Sequence, residues 1–224
     1  MRVLLSTIGS RGDVQPLVAL ALELRAIGQD VRVCVPPDFR SWIEYFGIPV
    51  TTVGLELRST AHANPAPPLT AERRRQMMEG TVTTQFETLC AAAHGCDLLV
   101  GATALQIAAP SVAERMGIPY VFAAYCPAVL PSRWHAPPVL TTLGDIPTPP
   151  KADHGALWAQ DAQRWNDGWR LLINSHRKLI GLPPVSDVRG YVLTDRPWLA
   201  ADQTLAPWPD PADQAVFQTG AWVL

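Results

Sequence analysis

Strand-like and helix-like segments alternate through the first half of the chain, and this alternation limits the possible folds more than any other feature of the sequence. Residues 3–8 form a near-continuous apolar run, and residues 14–27 carry apolar side chains at helical spacing before a glycine. The same reading predicts strands over 30–35, 48–53, 97–102 and 120–124 and helices over 38–46, 70–93 and 105–116. This alternation predicts an α/β fold, a Rossmann-like, doubly wound parallel sheet with helices on both faces. Ligands of such sheets bind beyond the carboxyl ends of the strands.

The composition is that of an ordinary globular protein and argues against two classes of partner. Of the 224 residues, 48% are hydrophobic and 17% are charged, and the formal net charge is −2. Scattered charges give no extended positive surface, so we expect no nucleic-acid partner. No apolar run approaches the ~20 residues that span a bilayer, and the N-terminal run does not lead into a signal-peptide cleavage site. We therefore expect no stable membrane insertion.

The cysteines and histidines show no metal-binding pattern. The four cysteines lack Cys-x-x-Cys spacing, and the five histidines are dispersed. We expect four reduced thiols (Cys34, Cys90, Cys96 and Cys126), a cytoplasmic location and no metal.

The octapeptide GSRGDVQP, residues 9–16, follows the first predicted strand and so lies where a ligand would bind. Its Arg-Gly-Asp sequence does not indicate adhesion, because Asp13 leads directly into a helix. A dinucleotide fingerprint needs Gly-x-Gly-x-x-Gly, whereas Gly9 and Gly12 are followed here by an acid that would repel a pyrophosphate. Two interpretations stay open. Asp13 either caps the helix just before its first residue, with Pro16 in the first turn, or faces a substrate hydroxyl as a catalytic base.

The middle of the chain has the composition of a long loop. Residues 126–150 contain seven prolines together with Trp134 and His135 and have no clear periodicity. This predicts a surface loop over about 126–152 rather than a core element. Residues 153–180 then carry apolar side chains along a broad helical face, and their tryptophans either pack in the core or line a hydrophobic ligand cleft. These tryptophans are Trp158, Trp165 and Trp169.

Six segments resemble, in the same order, segments of the vancomycin-group glycopeptide glycosyltransferases, enzymes with two facing Rossmann-like domains, the GT-B fold. Together the segments run from one terminus of the chain to the other. They are LLSTIGSRGDVQPLVALALEL at 4–24, VCVPPD at 33–38, GCDLLVGATALQIAAPSVAERMGIPYVFAAYCPAVLPS at 95–132, NSHRKLIGLPPV at 174–185, TDRPWLAADQTLAPWP at 194–209 and QTGAW at 218–222.

The resemblance implies a domain arrangement and a reaction. Residues 1–217 would form the N-terminal acceptor-binding domain and 218–224 the start of the interdomain linker, while the C-terminal domain that binds the nucleotide sugar would be absent. The whole enzyme would move a sugar from a UDP- or dTDP-sugar to a hydroxyl of a hydrophobic, glycopeptide-like natural product, with inversion and without a cofactor or metal. We expect the chain alone to be inactive. The alternatives for the acceptor are a macrolide, a polyketide or a sterol. The alternatives for the protein are a non-catalytic aglycone-binding or helper module and, less favoured, a nicotinamide-dependent enzyme.

The resemblance also implies roles for individual residues. Relatives with a Gly-His-x-x-Pro loop use the histidine as the base, and Asp13 stands in its place here. At the helix start, Ser10, Arg11 and Gly12 would face the donor. In the middle segment, the residues expected to bind the acceptor are Cys126, Pro127, Trp134 and His135.

Overall fold

Parallel strands and α-helices alternate in the part of the chain that the computed structural model describes, which is residues 1–56, 70–138, 153–209 and 215–224. The strands are β1 (Arg2–Thr7), β2 (Asp30–Val35), β3 (Val50–Thr52), β4 (Leu98–Ala102), β5 (Tyr120–Ala124), β6 (Trp198–Leu199) and β7 (Phe217–Gln218). The helices are α1 (Arg11–Ala26), α2 (Arg40–Glu44), α3 (Ala71–Ala92), α4 (Ala109–Met116), α5 (His154–Leu179) and α6 (Val188–Leu193). Short 3-10 helices cover Pro37–Phe39 and Pro127–Val129. The predicted alternation is confirmed.

The strand order places β1 in the middle of the sheet. The described strands form one parallel sheet in the order β3-β2-β1-β4-β5-β6-β7. Val3 of β1 lies opposite Val31 on one side and Leu98 on the other. The chain builds outward from β1 to β3 and then returns to place β4 beside β1. The crevice between the carboxyl ends of β1 and β4 is therefore the topological switch point, where ligands of doubly wound sheets bind.

Helices cover both faces of this sheet, as predicted. Leu4 of β1 belongs to a core cluster formed with α3, α4, α5 and α6. Its neighbours Val3 and Leu5 point to the opposite face and belong to a cluster formed with α1 and α2. Successive strand residues alternate between faces, so one apolar strand supplies both cores.

The loop after β4 differs from the prediction that a helix begins at residue 105, because α4 begins only at Ala109. The buried side chain of Gln85 on α3 donates to the Leu105 carbonyl at 2.8 Å and accepts from the Ala108 N–H at 3.0 Å. Thr103 adopts a left-handed conformation with φ 69°. These contacts hold the loop in a non-helical conformation at the switch point.

The segment before α5 is more firmly packed than predicted. The expectation of a surface loop suits the exposed Cys126 and Trp134 but is wrong for Leu130, which is fully buried in a third core cluster. Residues 139–152, the rest of the predicted loop, lie outside the described residues.

The tryptophans of α5 pack in the core. Trp158 is 5% exposed, and Trp165 and Trp169 pack against the cluster that α3 to α6 form with the sheet. The core interpretation of this helical face is therefore confirmed, and its predicted bounds of 153–180 agree with His154–Leu179.

The last residues return to the sheet. Gln218 lies in β7 and donates to the Ala201 carbonyl at 3.0 Å, so the predicted domain boundary between residues 217 and 218 falls inside a strand. Trp222 packs edge-on against Tyr125, with ring centroids 5.9 Å apart. Residues 217–222 are thereby attached to the carboxyl edge of the sheet.

Candidate active site

The loop between β1 and α1 forms the candidate site at the switch point. After β1, Gly9 takes a backbone φ of 152°, Ser10 is the N-cap, and α1 begins at Arg11. The predicted start at residue 14 is therefore too late, and Asp13 occupies the third helical position rather than the N-cap. Pro16 correspondingly lies in the second turn, inside the helix, rather than in the first turn.

The Asp13 carboxylate turns back over the loop. Its Oδ2 accepts hydrogen bonds from the Ser10 backbone N–H at 2.6 Å and from the Ser10 hydroxyl at 3.1 Å. The first is the acidic half of a capping box, which stabilises a helix start. Both bonds use Oδ2, and within the described residues Oδ1 has no hydrogen-bond partner. Asp13 is half-buried. One carboxylate oxygen is therefore fixed locally while the other can accept a proton.

Arg11 and Gly12 lie on the exposed side of the same turn. The Arg11 guanidinium stacks over the Trp42 ring at 4.3 Å and donates to Gln15 at 3.1 Å. Gly12 is exposed. Near them the first turn presents backbone N–H groups and the positive end of the helix dipole, a suitable surface for an anion.

Two buried hydroxyls lie on the α1 face of the sheet, at the edge that carries Asp13. Thr7 is the last residue of β1, and Tyr125 directly follows β5. Their hydroxyl oxygens are shielded from solvent and have no hydrogen-bond partner within the described residues. Burial, and secondly the negative charge of Asp13, raise the pKa of Tyr125. Sequence analysis missed this pair; the available signal was a polar side chain at the carboxyl end of each strand.

The residues predicted to bind the acceptor follow β5 on the same edge. Cys126 is exposed, Pro127 begins a 3-10 helix, and Trp134 is 60% exposed beneath the Arg133 guanidinium. His135 is half-buried, and its carbonyl accepts from Trp158 Nε1 at 2.8 Å.

The structure separates His135 from Asp13. The His135 ring packs edge-on against Trp158 and Trp208, at 5.8 and 6.4 Å. Within the described residues, its contacts are with α5 and the segment after β6 rather than with the Asp13 loop. Trp134 is thus the large aromatic side chain that this segment presents to solvent.

A cleft of about 460 Å³ lies away from this edge. It is bordered by α4, α6 and the start of β5, with Glu114, Tyr120 and Tyr191 in its wall. Glu114 is bonded to the buried Arg177 at 2.9 Å, and this hydrogen bond holds the pKa of its carboxyl below the ordinary value. The Asp13 carboxylate and this cleft therefore lie in different places, and we take the switch point as the candidate site because the carboxylate there has an oxygen available.

Two other kinds of site are absent from the part of the chain described here. No three His, Cys, Asp or Glu side chains in it come together as metal ligands. No helix in it has both the length and the apolar character needed to cross a membrane.

The sheet order and the helices on both faces define a Rossmann-like α/β domain of the kind found in GT-B glycosyltransferases. Two solved structures share the fold. The glycotransferase of kitacinnamycin superposes with a TM-score of 0.61 over 95% of this chain and 48% of its own, at 16% identity. The spinosyn forosaminyltransferase SpnP gives 0.58 over 92% of this chain and 48% of its own, at 20% identity.

Residues 3–132 match the model of the glycosyltransferase family 28 N-terminal domain, and the chain belongs to this family. Glycosyltransferase GtfE and the vancomycin aglycone glucosyltransferase, both of Amycolatopsis orientalis, are 47% and 46% identical to it over its whole length. The dTDP-epi-vancosaminyltransferase of the same organism is 39% identical. The chain spans about half the length of these relatives, 54% of the first two and 51% of the third. The predicted resemblance to the vancomycin-group enzymes is confirmed.

Proposed function

We propose that the chain is the acceptor-binding half of an inverting glycosyltransferase, with Asp13 as the general base. The observation that carries this proposal is the position of the Asp13 carboxylate at the switch point. Ser10 holds its Oδ2, and within the described residues Oδ1 is without a hydrogen bond. A base must lie within hydrogen-bond reach of the hydroxyl that it deprotonates, and an available carboxylate oxygen at a ligand-binding edge meets that requirement.

The reaction is a direct displacement. The acceptor hydroxyl attacks the anomeric carbon of the donor while Asp13 Oδ1 accepts its proton. The new carbon–oxygen bond forms as the bond to the diphosphate breaks, and the electron pair leaves with the nucleoside diphosphate. Because attack comes from the side opposite the leaving group, the anomeric configuration inverts. A carboxylate is a weak base towards an alcohol, so the proton moves late, when the attacking oxygen has become acidic.

The donor would lie against the start of α1. Ser10, Arg11 and Gly12 line this turn, and their polar groups with the positive end of the helix would attract the diphosphate against the negative charge of Asp13. Arg11 would pair with the donor only after leaving the Trp42 ring. We propose a UDP- or dTDP-sugar, because one 39% identical relative is named a dTDP-epi-vancosaminyltransferase. Most of the donor would be held by a further domain, and we expect the 224 residues alone to transfer no sugar.

The acceptor would lie along the segment after β5 and contact Cys126, Pro127, Trp134 and the half-buried His135. Trp134, at 60% exposed, has the large flat surface that an aromatic aglycone would contact. Vancomycin aglycone is the first acceptor to try, since a 46% identical relative is named for it. Macrolides, polyketides and sterols are the alternatives. Four free thiols fit a reducing cytoplasm, the location that we propose.

The test uses an active two-domain enzyme in which residues 1–224 are joined to the second half of GtfE. Asp13→Asn should lower the rate of the chemical step by ~10²–10⁴. The free energy of unfolding should hardly change, because the asparagine oxygen can still accept from the Ser10 N–H. Asp13→Ala is the comparison and should also lose about 1 kcal/mol of stability with the capping bond.

Two results would contradict the proposal. Near-normal turnover of Asp13→Asn, where chemistry limits the rate, would leave Asp13 as a helix-capping residue alone. Sustained transfer by the 224-residue chain alone would show that no further domain is needed to hold the donor.

A further inference from the structure

Tyr125 lies on the same face of the sheet as α1, directly after the end of β5. Its ring packs in the cluster that α1 and α2 form with the strands. Between Thr7 and the end of β5, the sheet carries only Ala102 and Ala123, which lie opposite each other. Only small side chains therefore stand in this row between the end of β5 and the strand that leads into the β1–α1 loop.

The hydroxyl of Tyr125 is buried without a partner among the described residues, and such a group is unfavourable unless it bonds when the protein works. Its ring is held from behind by Trp222, edge-on at 5.9 Å. Within the part of the chain described here, Asp13 is the charged group found to act on Tyr125. Arg11, the other charged residue of this turn, is turned away onto Trp42.

Only one oxygen of the Asp13 carboxylate takes part in its hydrogen bonds. Its two hydrogen bonds go to Ser10 through Oδ2, and within the described residues Oδ1 is left to accept from a further donor. A hydrogen bond from a hydroxyl to a carboxylate is short and strong, so a buried phenol beside it is a good partner.

We propose that Tyr125 is a positioning residue for Asp13: its hydroxyl donates to the Asp13 carboxylate when the acceptor is bound. Ser10 then holds the carboxylate from the side of the loop and Tyr125 from the side of the sheet. This inference rests on the proposed role of Asp13 as the base.

The first test needs no sugar transfer. In the 224-residue chain labelled with ¹³C at the hydroxyl-bearing carbon of tyrosine, Asp13→Asn should shift the Tyr125 resonance, which Tyr125→Phe identifies by its loss. The Tyr120 resonance is the matched control, because this buried phenol also has no hydrogen-bond partner among the described residues but lies with the residues of the opposite face. An unmoved Tyr125 resonance would overturn the proposal.

The second test uses the two-domain enzyme and a double-mutant cycle. Tyr125→Phe should lower kcat about tenfold, the value of one hydrogen bond to a charged group, while the KM for the acceptor stays unchanged. In the Asp13→Asn background the same substitution should have no further effect, since the group it positions is gone. Tyr120→Phe should leave kcat unchanged in both backgrounds.

The outcomes separate this inference from the function on which it rests. If Asp13→Asn is slow but Tyr125→Phe keeps the wild-type kcat, or lowers the rate equally in both backgrounds, Tyr125 does not act through Asp13. If Asp13→Asn itself is fast, the proposed base is wrong and the positioning role fails with it. Removing the unpaired hydroxyl should not lower the melting temperature, so a rate loss cannot be attributed to unfolding.

Discussion

A β-carbon added to Gly9 would lie 2.2 Å from Oδ2 of Asp13, so the glycine and the carboxylate share one space. The same glycine has a backbone φ of 152°, which side-chain-bearing residues rarely adopt. The loop can therefore fold the carboxylate back onto Ser10 only because residue 9 has no side chain.

Gly9→Ala should displace Asp13 and strain the loop. We expect a loss of about 1–3 kcal/mol in the free energy of unfolding, measured in urea. Gly12→Ala is the matched control for stability, because a β-carbon there meets nothing closer than the Ser10 hydroxyl at 3.7 Å and lies in a helix, where alanine is favoured. Equal stability of the two variants would contradict the crowding of Gly9 by Asp13.

The segment after β5 should divide into a structural and an exposed part. Leu130→Ala removes a fully buried side chain and should cost about 2–5 kcal/mol of stability. Trp134→Ala, four positions on and 60% exposed, should cost less than ~1 kcal/mol and instead weaken acceptor binding. Chemical denaturation of both variants measures the contrast. Replacement of the whole segment by a flexible linker should therefore destabilise the fold, contrary to the expectation from sequence.

The ion pair of Arg177 and Glu114 should make stability depend on pH. The Arg177 hydrogen bond lowers the pKa of Glu114 in the folded state. The stabilisation is thus fully present above the unfolded pKa of about 4.3 and is lost as the pH falls towards the folded value. Glu114→Gln should be less stable than wild type at pH 7, by on the order of 1 kcal/mol after allowance for the exposure of Glu114. The difference should shrink from about pH 5 to pH 3. A constant difference in urea unfolding across this range would contradict the prediction.

The order and kind of the main elements can be predicted from sequence because they depend on local pattern. Each buried strand shows as a near-continuous apolar run in its own sequence, and each helix shows as apolar side chains at helical spacing. The start of α1 could not be predicted from the sequence, because Ser10 and Gly12 do not continue the apolar spacing that would extend the helix back to Arg11. The resemblance identified Asp13 as the candidate base, but its bonds to Ser10 required the structure.

Contacts between distant residues account for the features that sequence did not predict. Gln85 lies on α3, well before α4 in the chain, and its bonds to the loop after β4 keep α4 from starting before Ala109. Tyr125 comes to the same region of the sheet edge as Asp13 because β4 alone separates β1 from β5 in the sheet. The burial of Leu130 depends on β6, which forms much later in the chain.

The contact of Trp222 with Tyr125 also has a consequence for the order in which the domain is made. On the ribosome, Trp222 follows Asp13 by 222 − 13 = 209 positions. At ~5–20 residues per second, Trp222, which packs on Tyr125, is synthesised roughly 10–40 s after the loop that carries Asp13. A nascent chain can thus assemble the central strands early, whereas the contact of Trp222 with Tyr125 forms only after the last strand has emerged. Premature termination before residue 222 would yield a nearly complete sheet whose carboxyl edge lacks this ring.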